Sequence, residues 1–164
     1  MKRLFVASAT VVAAGILAVL FLWPRANAGP EPIAYGREAC AQCRMLITQP
    51  GFGGEMRDHR GVLTKYDDVG CLLRAMLGKH DEMPEAWVED HTSGELVPLL
   101  TATLIRTPGG GTPMGHGIVA FADQDAAGAF AAEHGGEAVA LEDLVRDSAR
   151  LARSSSAGQP RVQP

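Results

Sequence analysis

The chain has 164 residues, 46% of them apolar and only 5% aromatic, with a formal charge of −4. That length allows one compact domain, or two small half-domains sharing a core. The acidic balance argues against a nucleic-acid partner, and three cysteines are too few, and odd in number, for a disulfide-rich secreted scaffold.

The N-terminus reads as an export signal. Lys2 and Arg3 precede an uncharged, almost wholly apolar run over 4–23, which Pro24 breaks. Ala26-Asn27-Ala28 then offers small residues at the two positions a signal peptidase reads. Residues 1–28 are therefore a signal peptide, or an N-terminal anchor if left uncleaved, because roughly 20 apolar residues can span a bilayer. No cysteine closely follows the run, so no lipid-attachment site is expected. Beyond Ala28 the chain keeps 12 basic and 19 acidic residues, a net charge of −7. All three cysteines lie in this exported part, in a compartment where isolated thiols tend to oxidise.

Residues 29–39 carry two prolines and read as a linker. Segments 55–59 and 62–66 flank Arg60-Gly61 and predict a β-hairpin. Asp67-Asp68 can cap a helix whose apolar positions Val69, Leu72, Leu73, Met76 and Leu77 recur at helical spacing, ending near Gly78. Segments 86–91 and 96–100 predict a second hairpin, and 101–106 a further strand. A glycine-rich loop over 107–117 leads into a short buried strand over 117–122. Asp123 then caps a helix with Ala126, Ala127, Phe130 and Ala131 on one face, stopped at Gly135-Gly136. A short strand over 138–141 and a last helix over 141–151 follow, and a polar tail over 153–164 is expected to be disordered. The class is α+β: two hairpin-plus-helix units, each entering its helix at an aspartate after an aromatic (Tyr66, Phe121), around one small core.

The sulfurs are the chemical signal. Cys40, Cys43 and Met45 lie within six residues. Two cysteines three apart can face one ion across a turn, and a thioether beside them makes a soft donor set that favours Cu(I) over hard cations. A plain disulfide between Cys40 and Cys43, and a core role for Met45 beside Leu46 and Ile47, are the bland alternatives. Met114 stands between Pro113 and Gly115 in the glycine loop, outside any periodic apolar run, where it could close over a metal. His116 is either an extra ligand or a solvent-facing loop histidine. Cys71, in the first turn of a helix, is either a reactive thiol of lowered pKa or a small buried residue.

Three segments together resemble the NosL family of periplasmic copper-binding accessory proteins. The stretch from Tyr35 through Cys40, Cys43 and Met45 to Ile47 is similar to that family's Cys-x-x-Cys-x-Met signature. Lys65-Tyr66-Asp67-Asp68-Val69-Gly70-Cys71-Leu72 is similar to its aromatic-Asp-Asp-x-Gly-Cys segment, and Pro113-Met114-Gly115-His116-Gly117 to its Pro-Met-Gly-x-Gly strand entry. The resemblance spans about 33–144, and the copper-binding domain is drawn at 40–152. It implies a fold similar to the small domain of organomercury lyases, and copper ligands at Cys43, Met45 and Met114; the neighbouring Cys40 is read here as joining or exchanging as copper moves. It implies a Cu(I) metallochaperone, not an enzyme, serving the copper-sulfide centre of nitrous oxide reductase. Its partners would be that reductase and its membrane transporter and periplasmic maturation complex. Many family members are tethered lipoproteins. This chain would be free after cleavage, or held by its leader. The rival functions are a thiol-disulfide oxidoreductase using Cys40 and Cys43, an organomercury-lyase-like enzyme using Cys43 or Cys71 with Asp68 as proton donor, and a structural zinc site.

Overall fold

The computed structural model describes residues 29–77 and 84–157; the leader, the expected helix stop at Gly78 and residues 158–164 lie outside it. The elements are β1 (Gly54–Arg57), β2 (Leu63–Tyr66), α1 (Val69–Leu77), β3 (Glu85–Glu89), β4 (Leu96–Pro98), β5 (Thr103–Arg106), β6 (Ile118–Phe121), α2 (Gln124–His134), β7 (Glu137–Val139) and α3 (Leu141–Ala157). A short 3-10 turn, Pro108–Gly110, opens the glycine loop. Among the described residues the class is α+β, with two antiparallel sheets and three α-helices.

The first sheet runs β2-β1-β3-β4 and the second β6-β5-β7. In each, a hairpin feeds a helix, and the strand after the helix returns to the free side of the hairpin's first strand. Thus β1 lies between β2 and β3, and β5 between β6 and β7. The repeat foreseen from the two aspartate-led helices is a repeat of topology, with β4 and α3 added. The sheets meet where β3 ends. Asp90 and Ala120 form a parallel bridge, the His91 amide donates to the Ala120 carbonyl at 2.8 Å, and the Ala122 amide donates to the Asp90 carboxylate at 3.0 Å.

Packing follows the apolar periodicity. In α1, Val69, Leu72, Leu73 and Met76 face inward and join Met56, Val88, Leu104, Ile118 and Leu144 in one core that spans both units. A smaller cluster of Ile105, Val119, Phe121 and Ala127 lies under α2, whose Ala126, Phe130 and Ala131 pack against it. Asp123 caps α2 by accepting the Asp125 amide, and Gly135, at φ 70°, ends it.

Three expectations shift. The hairpin loop is wider than an Arg60-Gly61 turn: pairing ends at Arg57 and Leu63, and the Asp58 side chain accepts the Arg60 and Val62 amides at 3.0 and 2.9 Å to close the connection. Segment 29–39 is a packed strap, because its neighbours are buried polar groups that need partners. Its Glu31 amide reaches Glu55 at 3.1 Å, Lys65 Nζ reaches the Pro32 carbonyl at 2.8 Å, and the Tyr35 hydroxyl donates to Glu89. Finally, α3 continues to Ala157, into the stretch read as a tail.

Candidate metal centre

The Cys-x-x-Cys segment is a tight turn, not the start of a helix. The Arg44 amide donates to the Cys40 carbonyl at 2.9 Å and the Cys40 amide to the Met45 carbonyl at 2.8 Å. Arg44 closes this turn in the left-handed region at φ 68°, unusual for a residue with a Cβ. The Ala41 amide donates to the Lys65 carbonyl at 2.9 Å, which ties the turn to β2. One residue past β2 comes Asp67, and in the first turn of α1 comes Cys71. Turn, strand end and helix start therefore converge.

Their side chains form one cluster. A ligand atom from each of Cys40, Cys43, Asp67 and Cys71 lies within 4.8 Å of all the others. Cys40 and Cys71 are buried, Asp67 is 4% exposed, and Cys43 is half-buried. Cys43 Sγ points at both oxygens of Asp67, at 3.5 and 3.6 Å. All three thiols are free. Burial pushes the Cys43 thiol pKa up, and the neighbouring Cys40 and Asp67 push the same way against the Met45 amide. Burial pushes Cys71 far up as well, helped by Cys40, Asp67 and Cys43. The first-turn position of Cys71 thus does not give a lowered pKa, because removal from water outweighs the helix terminus. A cation bound among these donors would favour the thiolate forms of Cys43 and Cys71, opposing the upward push of burial.

The methionines sit differently. Met45 is 56% exposed and Leu46 50%, while Ile47 is fully buried, so core packing is not what places Met45. Met45 is thus a surface residue, two positions beyond Cys43 in the chain. Met114 is partly buried and packs on the core cluster that contains Cys40 and Cys71. The structure thus brings Cys40 and Cys43 together, adds Asp67 and Cys71, and leaves Met45 at the surface beside the turn.

Asp68 holds the glycine loop. Its side chain is fully buried. Oδ1 accepts the Gly70 amide at 2.6 Å and His116 Nδ1 at 2.8 Å; Oδ2 accepts the Thr112 hydroxyl at 2.5 Å and the Met114 amide at 3.3 Å. Burial pushes the Asp68 carboxyl up, but the hydrogen bonds from His116, Thr112 and the Gly70 amide outweigh it and hold its pKa below the usual value. His116 is therefore neither a free loop histidine nor part of the sulfur cluster. Gly70 makes room for it: a Cβ there would lie 2.2 Å from His116 Cγ. At the loop's far end Gly117, at φ 66°, would bring a Cβ to 2.8 Å from the Thr107 carbonyl.

Asp67 and Cys71 join the cluster although the sequence does not single them out as copper donors. Both stood in a recognised segment, and their i, i+4 spacing at a helix start puts them on one side. From the sequence the Asp-Asp pair is a helix cap, with Asp68 also a proton donor in the lyase-like rival; in three dimensions Asp67 faces the Cys43 thiol and Asp68 the glycine loop.

The NosL family model matches residues 33–149. The copper-binding lipoprotein NosL of Stutzerimonas stutzeri is 30% identical over 138 residues, covering 77% of this chain and 71% of that protein. The crystal structure of the copper chaperone NosL from Shewanella denitrificans is similar in fold, at 21% identity and a TM-score of 0.58, covering 69% of this chain and 96% of that one. The family match covers the segments that build the cluster and its loop, and the chain belongs to the NosL family.

Proposed function

We propose that this chain is an exported metallochaperone whose cargo is Cu(I). The convergence of Cys40, Cys43 and Cys71 with Asp67 beside the exposed Met45 carries this reading. Thiolates and thioethers form a soft set that suits Cu(I). The donors assigned are Cys40, Cys43, Met45 and Met114. Cys43, half-buried where Cys40 and Cys71 are buried, is the most accessible of the three thiols. A surface thioether suits hand-over, because an incoming sulfur can bind before Cys43 releases the ion. The names of the two relatives, a copper-binding lipoprotein and a copper chaperone, support the same reading.

The recipient proposed is nitrous oxide reductase, during assembly of its copper-sulfide centre, with the membrane transporter and periplasmic maturation complex as docking partners. Residues 1–28 direct export to the periplasm, where the chain is released by cleavage or stays tethered by its leader. Among the described residues no helix is long and apolar enough to cross a membrane. No catalytic step is assigned. The rival redox function would need Cys40 and Cys43 to open a helix after a strand; here they close a turn, and Cys40 is fully buried.

The test is a competition titration of the reduced protein with Cu(I) against a chromophoric chelator. Cys43→Ala and Met114→Ala should each weaken binding by at least about tenfold. Unchanged affinity in both would refute the site assignment, and a reversible Cys40–Cys43 redox couple without copper binding would favour the rival.

A further inference from the structure

We propose that Asp68 is a positioning residue that holds Met114 at the copper site by clasping the glycine loop. This rests on the reading of Met114 as a copper donor. The loop over 107–117 carries several residues in the left-handed region: Gly109, Gly110, Gly115 and Gly117 all have φ between 66° and 79°. Such a segment loses much conformational freedom on ordering and needs fixed anchors. Asp68 supplies them. It is anchored at the α1 start through the Gly70 amide, and it accepts one bond each from Thr112, Met114 and His116. Thr112 extends the clasp, because its hydroxyl oxygen also accepts the Gly117 amide at 3.1 Å. These contacts bracket Met114 from both sides and hold its own amide. Asp68 also directly follows Asp67 of the thiol cluster, so the loop is fastened one residue from the thiols' carboxylate neighbour.

The two oxygens divide the work, which makes one substitution selective. Asp68→Asn can keep Oδ1 toward Gly70 and His116 and so preserve the helix cap. Its NH2 then replaces Oδ2. The Thr112 hydroxyl can turn to accept, but the Met114 N–H meets a second donor. Asn therefore loosens the loop at Met114 while sparing α1.

The first readout needs no copper. In amide exchange on the metal-free full chain, Asp68→Asn should speed exchange at Met114 and Gly117 about tenfold and leave β5 unchanged. The second is Cu(I) affinity in a double-mutant cycle. Asp68→Asn and Met114→Ala should each weaken binding about tenfold, and the double variant should be within about twofold of Met114→Ala alone. His116→Ala removes one anchor without changing Asp68; it should give a smaller loss with the same non-additivity, and it serves if Asp68→Asn fails to fold. Unchanged loop exchange, or losses that multiply in the cycle, would overturn the positioning role alone. Wild-type affinity in Met114→Ala would overturn it together with the assignment of Met114 as a donor.

Discussion

Gly70→Ala sets two effects of opposite sign against each other. Alanine is the better helix residue by about 1 kcal/mol, so on propensity alone the variant gains stability. The structure predicts a loss. The new Cβ would lie 2.2 Å from His116 Cγ, 2.4 Å from its Cβ and 2.6 Å from Nδ1. Because His116 Cβ itself is too close, no rotamer change relieves the contact, and the loop backbone must move. Overpacking of this kind costs about 1–3 kcal/mol, and losing a hydrogen bond to a charged group about 1.5–3 kcal/mol more. Partial relaxation makes these costs overlap, leaving a net loss of about 2 kcal/mol, or roughly 5–10 °C in Tm. Thermal unfolding followed by circular dichroism, with amide exchange across 107–117, reads both the size and the place. A variant as stable as the parent, with an unchanged loop, would refute the packing of His116 over α1.

Other residues give sharp expectations. Arg44→Gly should stabilise the chain by about 1 kcal/mol, because the native φ of 68° penalises a Cβ; urea unfolding checks it, and a loss would mean the Arg44 side chain contributes more than its backbone costs. Glu89 accepts the Gly51 and Gly53 amides at 3.0 and 2.8 Å and the Tyr35 hydroxyl. Glu89→Ala strands two buried amides and should cost about 4 kcal/mol, whereas Glu89→Gln keeps an acceptor for both and should cost under about 2 kcal/mol; equal losses in urea titrations of the two would contradict the bonding. Burial pushes the Asp90 carboxyl up, but the Ala122 and Ser93 amides and the Ser93 hydroxyl outweigh it and hold it below its ordinary 3.8. Its stabilisation is therefore present above about pH 4 and lost as pH falls below that. Asp90→Asn should be less stable at pH 7 and show a shallower acid limb between about pH 5 and 2; an acid limb as steep as the parent's would refute the assignment.

The elements were legible where periodicity and capping agreed. The α1 stripe, the Asp123 cap and the Gly135 stop are local signals, and the structure keeps them. The strap was not legible, because its order comes from buried Glu55 and Glu89, which lie 24 residues beyond Glu31 and 54 beyond Tyr35 respectively. The continuation of α3 past Leu151 runs through Ser154, Ser155 and Ser156, where weak helix propensity and polar composition both read as tail. At the site, the pairing of Cys40 with Cys43 follows from spacing alone. The arrival of Asp67 and Cys71 depends on the Ala41–Lys65 backbone bond that docks the turn on β2, a contact between segments 24 residues apart. The clasp on Met114 spans 44 to 48 residues, so His116 and Thr112 carried no local mark of it.

The central claim is that copper is held by sulfur from both the cysteine turn and the glycine loop. X-ray absorption at the copper K-edge of the Cu(I)-loaded chain tests it most directly. The proposed donor set predicts a copper environment dominated by sulfur, losing one sulfur in Cys43→Ser and one in Met114→Ala. A shell of nitrogen and oxygen donors, or a sulfur count that neither substitution changes, would contradict it.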